Sequence, residues 1–183
     1  DTGNAALLAG DLVQDRDTVE TLTIQRWEDV DTVLSGEITI TADGPVALEV
    51  DGTMTLTNLI ADGDIRLTST NGIVDANTGV SDALITGDNL NLSVTSGSVG
   101  TAEQKLLVAL TNAARISASA SASIYLAETQ NSLTIGTVLA GGSAVLYSPY
   151  SFIDALNSNQ NNIVAGTINL HAEVSVGSDT QPF

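Results

Sequence analysis

The chain has no cysteine, only five lysine and arginine residues, one histidine, and aromatic rings at just 3% of its positions. Each shortage excludes something. Without cysteine there is neither a disulfide nor a thiolate metal site. The sole histidine, His171, cannot build a histidine-based metal cluster, and it reads as an exposed strand residue. Five cations face 22 acidic residues, for a net charge of −17. A surface so negative repels phosphate backbones and anionic lipid, which argues against nucleic acid and membrane insertion as partners. No apolar run approaches the roughly 18 residues of a membrane-spanning helix. The first residues carry neither the basic nor the apolar region of a signal peptide, so none is expected there. Scarcity of rings means that the core must be built from Val, Ile, Leu and Ala.

Motifs for several chemistries are missing too. No Gly-x-x-x-x-Gly-Lys loop is present to cradle phosphate, and no Gly-Gly-x-Gly-x-Asp calcium-roll repeat occurs. Asp1-Thr2-Gly3 matches the triplet of aspartic proteases, but that chemistry needs two such carboxylates sharing a proton, and no second copy exists. Lys105 is the only lysine, and Arg16, Arg26, Arg66 and Arg115 are scattered, a poor supply of bases for a polysaccharide lyase. The expectation is that the protein is not an enzyme.

What remains is 183 residues that are 43% apolar, enough to fold as one domain with a substantial core. From Gly36 onward apolar and polar residues alternate in short runs: Glu37-Ile-Thr-Ile-Thr, Val46-Ala-Leu-Glu-Val, Thr53-Met-Thr-Leu-Thr and Asp64-Ile-Arg-Leu-Thr. Period-two alternation over four to six residues predicts strands with one face buried. Their joints, Asp43-Gly44, Asp51-Gly52 and Asp62-Gly63, are strong turn signals, because Gly accepts positive φ and Asp bonds nearby backbone. Hairpins and an antiparallel β-sandwich would satisfy these signals.

A longer regularity points elsewhere. The passage 63–100 returns at 142–177 with its order kept: Gly63 matches Gly142, Gly87 matches Gly166, and Val99 matches Val176. The phrase Gly, any residue, apolar, any residue, apolar recurs at Gly36, Gly52, Gly63, Gly142 and Gly166. Such repetition suits a right-handed parallel β-helix, in which short strands stack in rungs about 4.8 Å apart around a narrow aliphatic lumen. The predicted organisation is therefore all-β. Residues 1–35 form an N-terminal segment or cap with Trp27 as its plug, and 36–183 form the solenoid. Residues 102–114 carry the strongest helical propensity in the chain, yet the repeat context predicts a strand over Leu106–Thr111. Ile116 to Leu126 alternates Ala with Ser and predicts a strand with a small inward face. Asn157 to Asn162 reads as an exposed polar loop.

The phrases Gly-Asp-Ile-Arg-Leu-Thr, Gly-Ile-Val-Asp-Ala, Gly-Asp-Asn-Leu-Asn-Leu, Gly-Ser-Val-Gly-Thr, Ala-Ser-Ile-Tyr-Leu-Ala-Glu and Leu-Thr-Ile-Gly-Thr-Val, in that order, resemble the repeats of large filamentous-haemagglutinin-like bacterial surface proteins. The resemblance covers roughly residues 36–178. It implies a β-solenoid, export to the cell surface or beyond, and a role in adhesion, aggregation or a matrix fibre. The partners it implies are further copies of the chain stacked end to end, surface glycans, or a host or matrix receptor.

Two other readings stay open. A β-helix can bind or cleave carbohydrate, and Thr-x-Thr at Thr39–Thr41, Thr53–Thr55 and Thr55–Thr57 raises ice binding if those threonines fall in register. Asp75 and Asp154 recur within Ile/Val-Asp-Ala surroundings and read as corner residues that bond backbone amides. No cofactor is expected beyond calcium, for which Asp62, Asp64 and Asp88 with backbone carbonyls are the candidate ligands, since hard cations take oxygen donors.

Overall fold

The computed structural model describes residues 5–6, 22–23, 30–33, 37–77, 79, 82–156, 158 and 160–177. Every element among them is a strand. The chain enters through β1 (Ala5–Ala6), β2 (Leu22–Thr23) and β3 (Val30–Val33). It then winds through β4 (Glu37–Ala42), β5 (Val46–Val50) and β6 (Thr53–Ala61), and next through β7 (Ile65–Ser69), β8 (Gly72–Asp75) and β9 (Ile85–Gly87). A further coil holds β10 (Leu90–Val94), β11 (Ser98–Val99) and β12 (Leu106–Leu110). Above it lie β13 (Arg115–Ala120), β14 (Ile124–Glu128), β15 (Leu133–Ala140), β16 (Ser143–Ser148) and β17 (Ser151–Asp154). The described chain closes with β18 (Ile163–Val164), β19 (Thr167–Ala172) and β20 (Ser175–Val176).

All pairings are parallel and join strands of successive coils, so the chain is a parallel β-helix of about seven turns. The sandwich alternative is thereby set aside. Asp-Gly joints that would suit hairpins are corners instead: β5 and β6, on either side of Asp51-Gly52, belong to different sheets. One sheet stacks β3, β5, β7, β10, β13, β15, β17 and β20, with β18 also paired to β15; the other carries β4, β6, β8, β9, β11, β12, β14, β16 and β19. The helix-prone segment forms β12, paired with β9 and β14. Lateral pairing and burial of Leu106, Val108 and Leu110 outweigh a propensity worth tenths of a kcal/mol per residue.

The lumen follows from alternation. Val46, Leu48 and Val50 stack on Ile65, Leu67 and Ser69, and those on Leu90, Leu92 and Val94. Ile116, Ala118 and Ala120 come next. All are buried. Each large aliphatic side chain withdrawn from water contributes about 1.5–3 kcal/mol. The Ala-Ser run forms two strands where one was expected: Ala118 and Ala120 point inside and Ser119 outside in β13, but the chain turns a corner at Ser121–Ser123, where Ala122 is exposed, and Ile124 and Leu126 belong to β14 of the other sheet.

The internal repeat is present as coils, but its two copies do not stack. Gly63 leads into β7 of the first sheet, whereas Gly142 leads into β16 of the second. The Gly-led phrase encodes a corner followed by a strand, and either side of the solenoid accepts it. Coil length varies: 19 residues separate Val46 from its stacking partner Ile65, and 25 separate Ile65 from Leu90. The threonines also miss one another. Thr39 lies beside Asn58 and Thr41 beside Ile60, so β4 and β6 form no threonine array. Trp27, the Asp1-Thr2-Gly3 triplet, and the cap apart from its three short strands lie outside the described residues.

Corners carry the polar work of the fold. Lumen-facing alternation in three strands ends on a buried polar residue, Ser69, Glu128 or Ser148. Ser69 Oγ lies 2.7 Å from both the Gly52 and Gly72 carbonyl oxygens, which share its one hydroxyl proton, and accepts from the Gly72 amide at 3.1 Å. Asp75 Oδ1 accepts from the Asn77 amide and Asp154 Oδ1 from the Leu156 amide, each at 2.7 Å, which is the corner role expected of both. Asn162, last of the polar loop, turns inward and donates from Nδ2 to the Ile135 carbonyl and to Asp154, while Ser158, Gln160 and Asn161 stay exposed.

Candidate functional site

On the outer face of the first sheet, register places Ala47, Arg66, Asn91 and Ser117 in one column, and Glu49, Thr68, Ser93 and Ser119 in the next. Strand alternation sends these residues outward because their neighbours fill the lumen. Several of them, with Pro45, Asp64, Asn89 and Arg115, line an open groove of about 530 Å³ that crosses four coils along the solenoid axis.

One wall is tied together from coil to coil. Asp64 Oδ1 accepts from Asn89 Nδ2 at 2.9 Å and from the Asn89 amide at 3.3 Å. Asn89 Oδ1 in turn accepts from the Arg115 amide at 2.8 Å. The Arg115 guanidinium donates to the Ala155 carbonyl at 3.2 Å. Gly136, one coil further, leaves room for this side chain: a Cβ there would stand 2.7 Å from both Arg115 Cδ and Ser117 Oγ.

Among the described residues there are three Lys and Arg side chains, Arg66, Lys105 and Arg115, and two of them line this groove. Arg66 is exposed and forms no ion pair within the described chain, although Glu49 and Asp64 share the lining. Sequence reasoning took the arginines as scattered. Arg66 and Arg115 are 49 residues apart, and two coils of unequal length bring them together. The groove lining sets guanidinium and amide donors beside carboxylate and hydroxyl acceptors.

Of the candidate calcium ligands, Asp64 belongs to the groove wall. Asp62 and Asp88 lie at the adjoining corner, where the Asp88 amide donates to the Gly63 carbonyl at 3.0 Å. Asp88 Oδ1 accepts from Thr111 Oγ1 at 2.7 Å. Among the described residues no three His, Asp or Glu side chains are grouped to hold a metal ion. His171 is exposed, with Nε2 2.9 Å from Glu173 Oε1 and its ring 5.4 Å from that of Tyr147.

Sequence reasoning passed over the most constrained side chain. Glu128 is fully buried. Its Oε1 accepts from the amides of Thr129, Gln130 and Asn131 at 2.9–3.2 Å, and its Oε2 from the Leu110 amide at 3.1 Å. Burial pushes its carboxyl above the ordinary glutamate value, against the four amide bonds that favour the charged form. The signal was present in parity: Ile124, Leu126 and Glu128 share the inward phase. No protein-family model, curated protein or solved structure matches the chain.

Proposed function

We propose that the chain is a structural and adhesive β-solenoid segment working at the bacterial cell surface or in the surrounding matrix, and that it recognises an extended glycan along the groove. One observation carries this reading: a polar groove that follows the axis across four stacked coils and gathers Arg66 and Arg115 on an otherwise acidic chain. Rungs about 4.8 Å apart repeat at nearly the length of one sugar ring, so an extended polysaccharide lying along the groove would meet one outward side chain of each column per coil. A shallow, open lining suits a polymer that is held at many weak points rather than a small molecule enclosed in a pocket. The resemblance to filamentous-haemagglutinin-like repeats supports the surface location and the adhesive role. Binding rather than cleavage is the preferred reading, because Asp64 is committed to holding Asn89 in the wall.

A glycan array probed with and without calcium tests the proposal. The expected result is specific binding in the submillimolar range that falls at least tenfold in Arg66→Glu and Asn91→Ala, both outward-facing changes that leave the lumen intact. Absence of binding to any glycan would remove the recognition reading. Release of reducing ends would move the function to carbohydrate cleavage. Binding that needs calcium, and weakens in Asp62→Asn or Asp88→Asn, would assign those carboxylates to a cation.

A further inference from the structure

One reactive pair of residues falls at a guarded place in the fold. Asn71-Gly72 is the one Asn-Gly sequence in the chain. In such a pair the glycine nitrogen can attack the asparagine side-chain amide, because no Cβ on the glycine shields the approach. Asp43-Gly44, Asp51-Gly52 and Asp62-Gly63 offer a carboxylate instead, which is a poorer electrophile than an amide. This corner cannot dispense with its glycine. Gly72 has φ +154, and a Cβ there would stand 3.1 Å from the Ser98 carbonyl of the next coil.

Asn71 is exposed, so water reaches it, but the attacking nitrogen is buried. The Gly72 amide donates to Ser69 Oγ at 3.1 Å. Ser69 is fully buried, and the Gly52 and Gly72 carbonyl oxygens, each 2.7 Å away, hold its hydroxyl in place. The Asn71 amide is fixed as well, donating to the Gly52 carbonyl at 2.8 Å. Gly72 itself is stacked between Thr53 and Ser98 of the neighbouring coils. The Gly72 nitrogen must give up its proton to become a nucleophile. A donor held in a buried hydrogen bond loses that proton only when the structure opens locally.

We infer that Asn71-Gly72 is a latent self-modification site, kept closed by the Ser69 hydroxyl while the corner is intact and released when the corner opens. In the open form a base from solvent takes the Gly72 amide proton, and the nitrogen forms a bond to Asn71 Cγ. The Cγ–Nδ2 bond breaks, and ammonia leaves with a proton from solvent. Water then opens the cyclic imide at either carbonyl, giving aspartate or isoaspartate at position 71. Nothing is oxidised or reduced. Isoaspartate routes the main chain through Cβ and so adds one carbon between position 71 and Gly72. The extra length falls where the Asn71 carbonyl lies against Gly97 so closely that a Cβ on Gly97 would overlap it. A corner that has opened and reacted cannot close in its old register, so the modification records the opening permanently. This inference does not depend on glycan recognition.

Peptide mapping of the full chain during incubation in mildly alkaline buffer tests it. Ammonia loss at Asn71 should be at least tenfold slower in the native chain than in the same chain unfolded in urea. Ser69→Ala should speed the reaction at least fivefold under native conditions, whereas Ser119→Ala, outward on the first sheet, should not. A second measurement needs no variant. Urea below the unfolding transition should accelerate hydrogen exchange of the Gly72 amide and deamidation of Asn71 in parallel. After long incubation in urea and dilution, chains carrying isoaspartate should refold less completely than unmodified ones. Equal rates in the native and unfolded chain, a Ser69→Ala rate equal to the native one, deamidation that stays constant while Gly72 exchange rises, or isoaspartate chains that refold as well as unmodified ones would overturn the inference.

Discussion

Glu128→Ala is expected to lower the free energy of unfolding by about 3 kcal/mol, because it strips the acceptor from four amides, and an unsatisfied buried donor costs about 1–3 kcal/mol. The Leu110 amide is the most consequential, since its bond to Oε2 is fully buried. The amides of Thr129, Gln130 and Asn131 are partly buried, and water can recover some of their loss. Glu128→Gln should cost less, about 1–2 kcal/mol, since its carbonyl can still serve those three amides while its NH2 group opposes the Leu110 amide.

The two forms of Glu128 also separate by pH. The folded carboxyl binds its proton more tightly than the ordinary 4.5 of an unfolded glutamate. Its contribution is thus fully present below about pH 4.5 and is lost as pH rises through the folded value. The deficit of Glu128→Gln relative to the native chain should be largest in acid and shrink toward neutrality. Urea unfolding of both proteins at a series of pH values measures this, and a deficit that grew with pH would show that the amide bonds, not burial, govern the proton.

Gly97→Ala is the second large effect. Gly97 has φ +156, and a Cβ there would overlap the Asn71 carbonyl of the coil beneath. The obstructing atoms are backbone in the middle of the stack, so they cannot swing aside as a flexible side chain would. The Gly97 amide is also held by the next coil, donating to Ser121 Oγ at 2.8 Å. Overpacking typically costs about 1–3 kcal/mol and a disfavoured backbone conformation a similar amount, so a loss of about 3 kcal/mol or more is expected. Gly52 is the control. No atom lies within 4 Å of the point where a Cβ on Gly52 would stand, so Gly52→Ala carries backbone strain without collision and should cost less. Thermal unfolding of both variants decides the matter, and equal losses would mean that φ alone sets the cost.

Much of the architecture was legible because it is local. Alternation in Val46–Val50 or Leu90–Val94 specifies a strand and its inward face whatever lies nearby. Aliphatic composition limits the lumen to a narrow bore, and Asp and Gly mark corners by their own conformational preferences. Even the strand at Leu106–Leu110 could be read against its helical propensity from the regularity around it.

Residues that meet across coils were another matter. The 63–100 passage and its return at 142–177 are alike in sequence but start on different sheets, because equal phrases are separated by coils of unequal length. Two stacked coils set Arg66 and Arg115 along one groove, and a register shift between Ile38 and Thr39 keeps the threonines of β4 and β6 apart. Glu128 became a buried acceptor only when the β14 corner closed over the Leu110 amide of the coil below. By itself, then, the sequence determined what each short segment is, since backbone geometry and side-chain alternation act within a few residues. Stacking decided which segments touch, since lateral hydrogen bonds and lumen packing choose partners roughly 20 or more residues away, beyond the reach of any local rule.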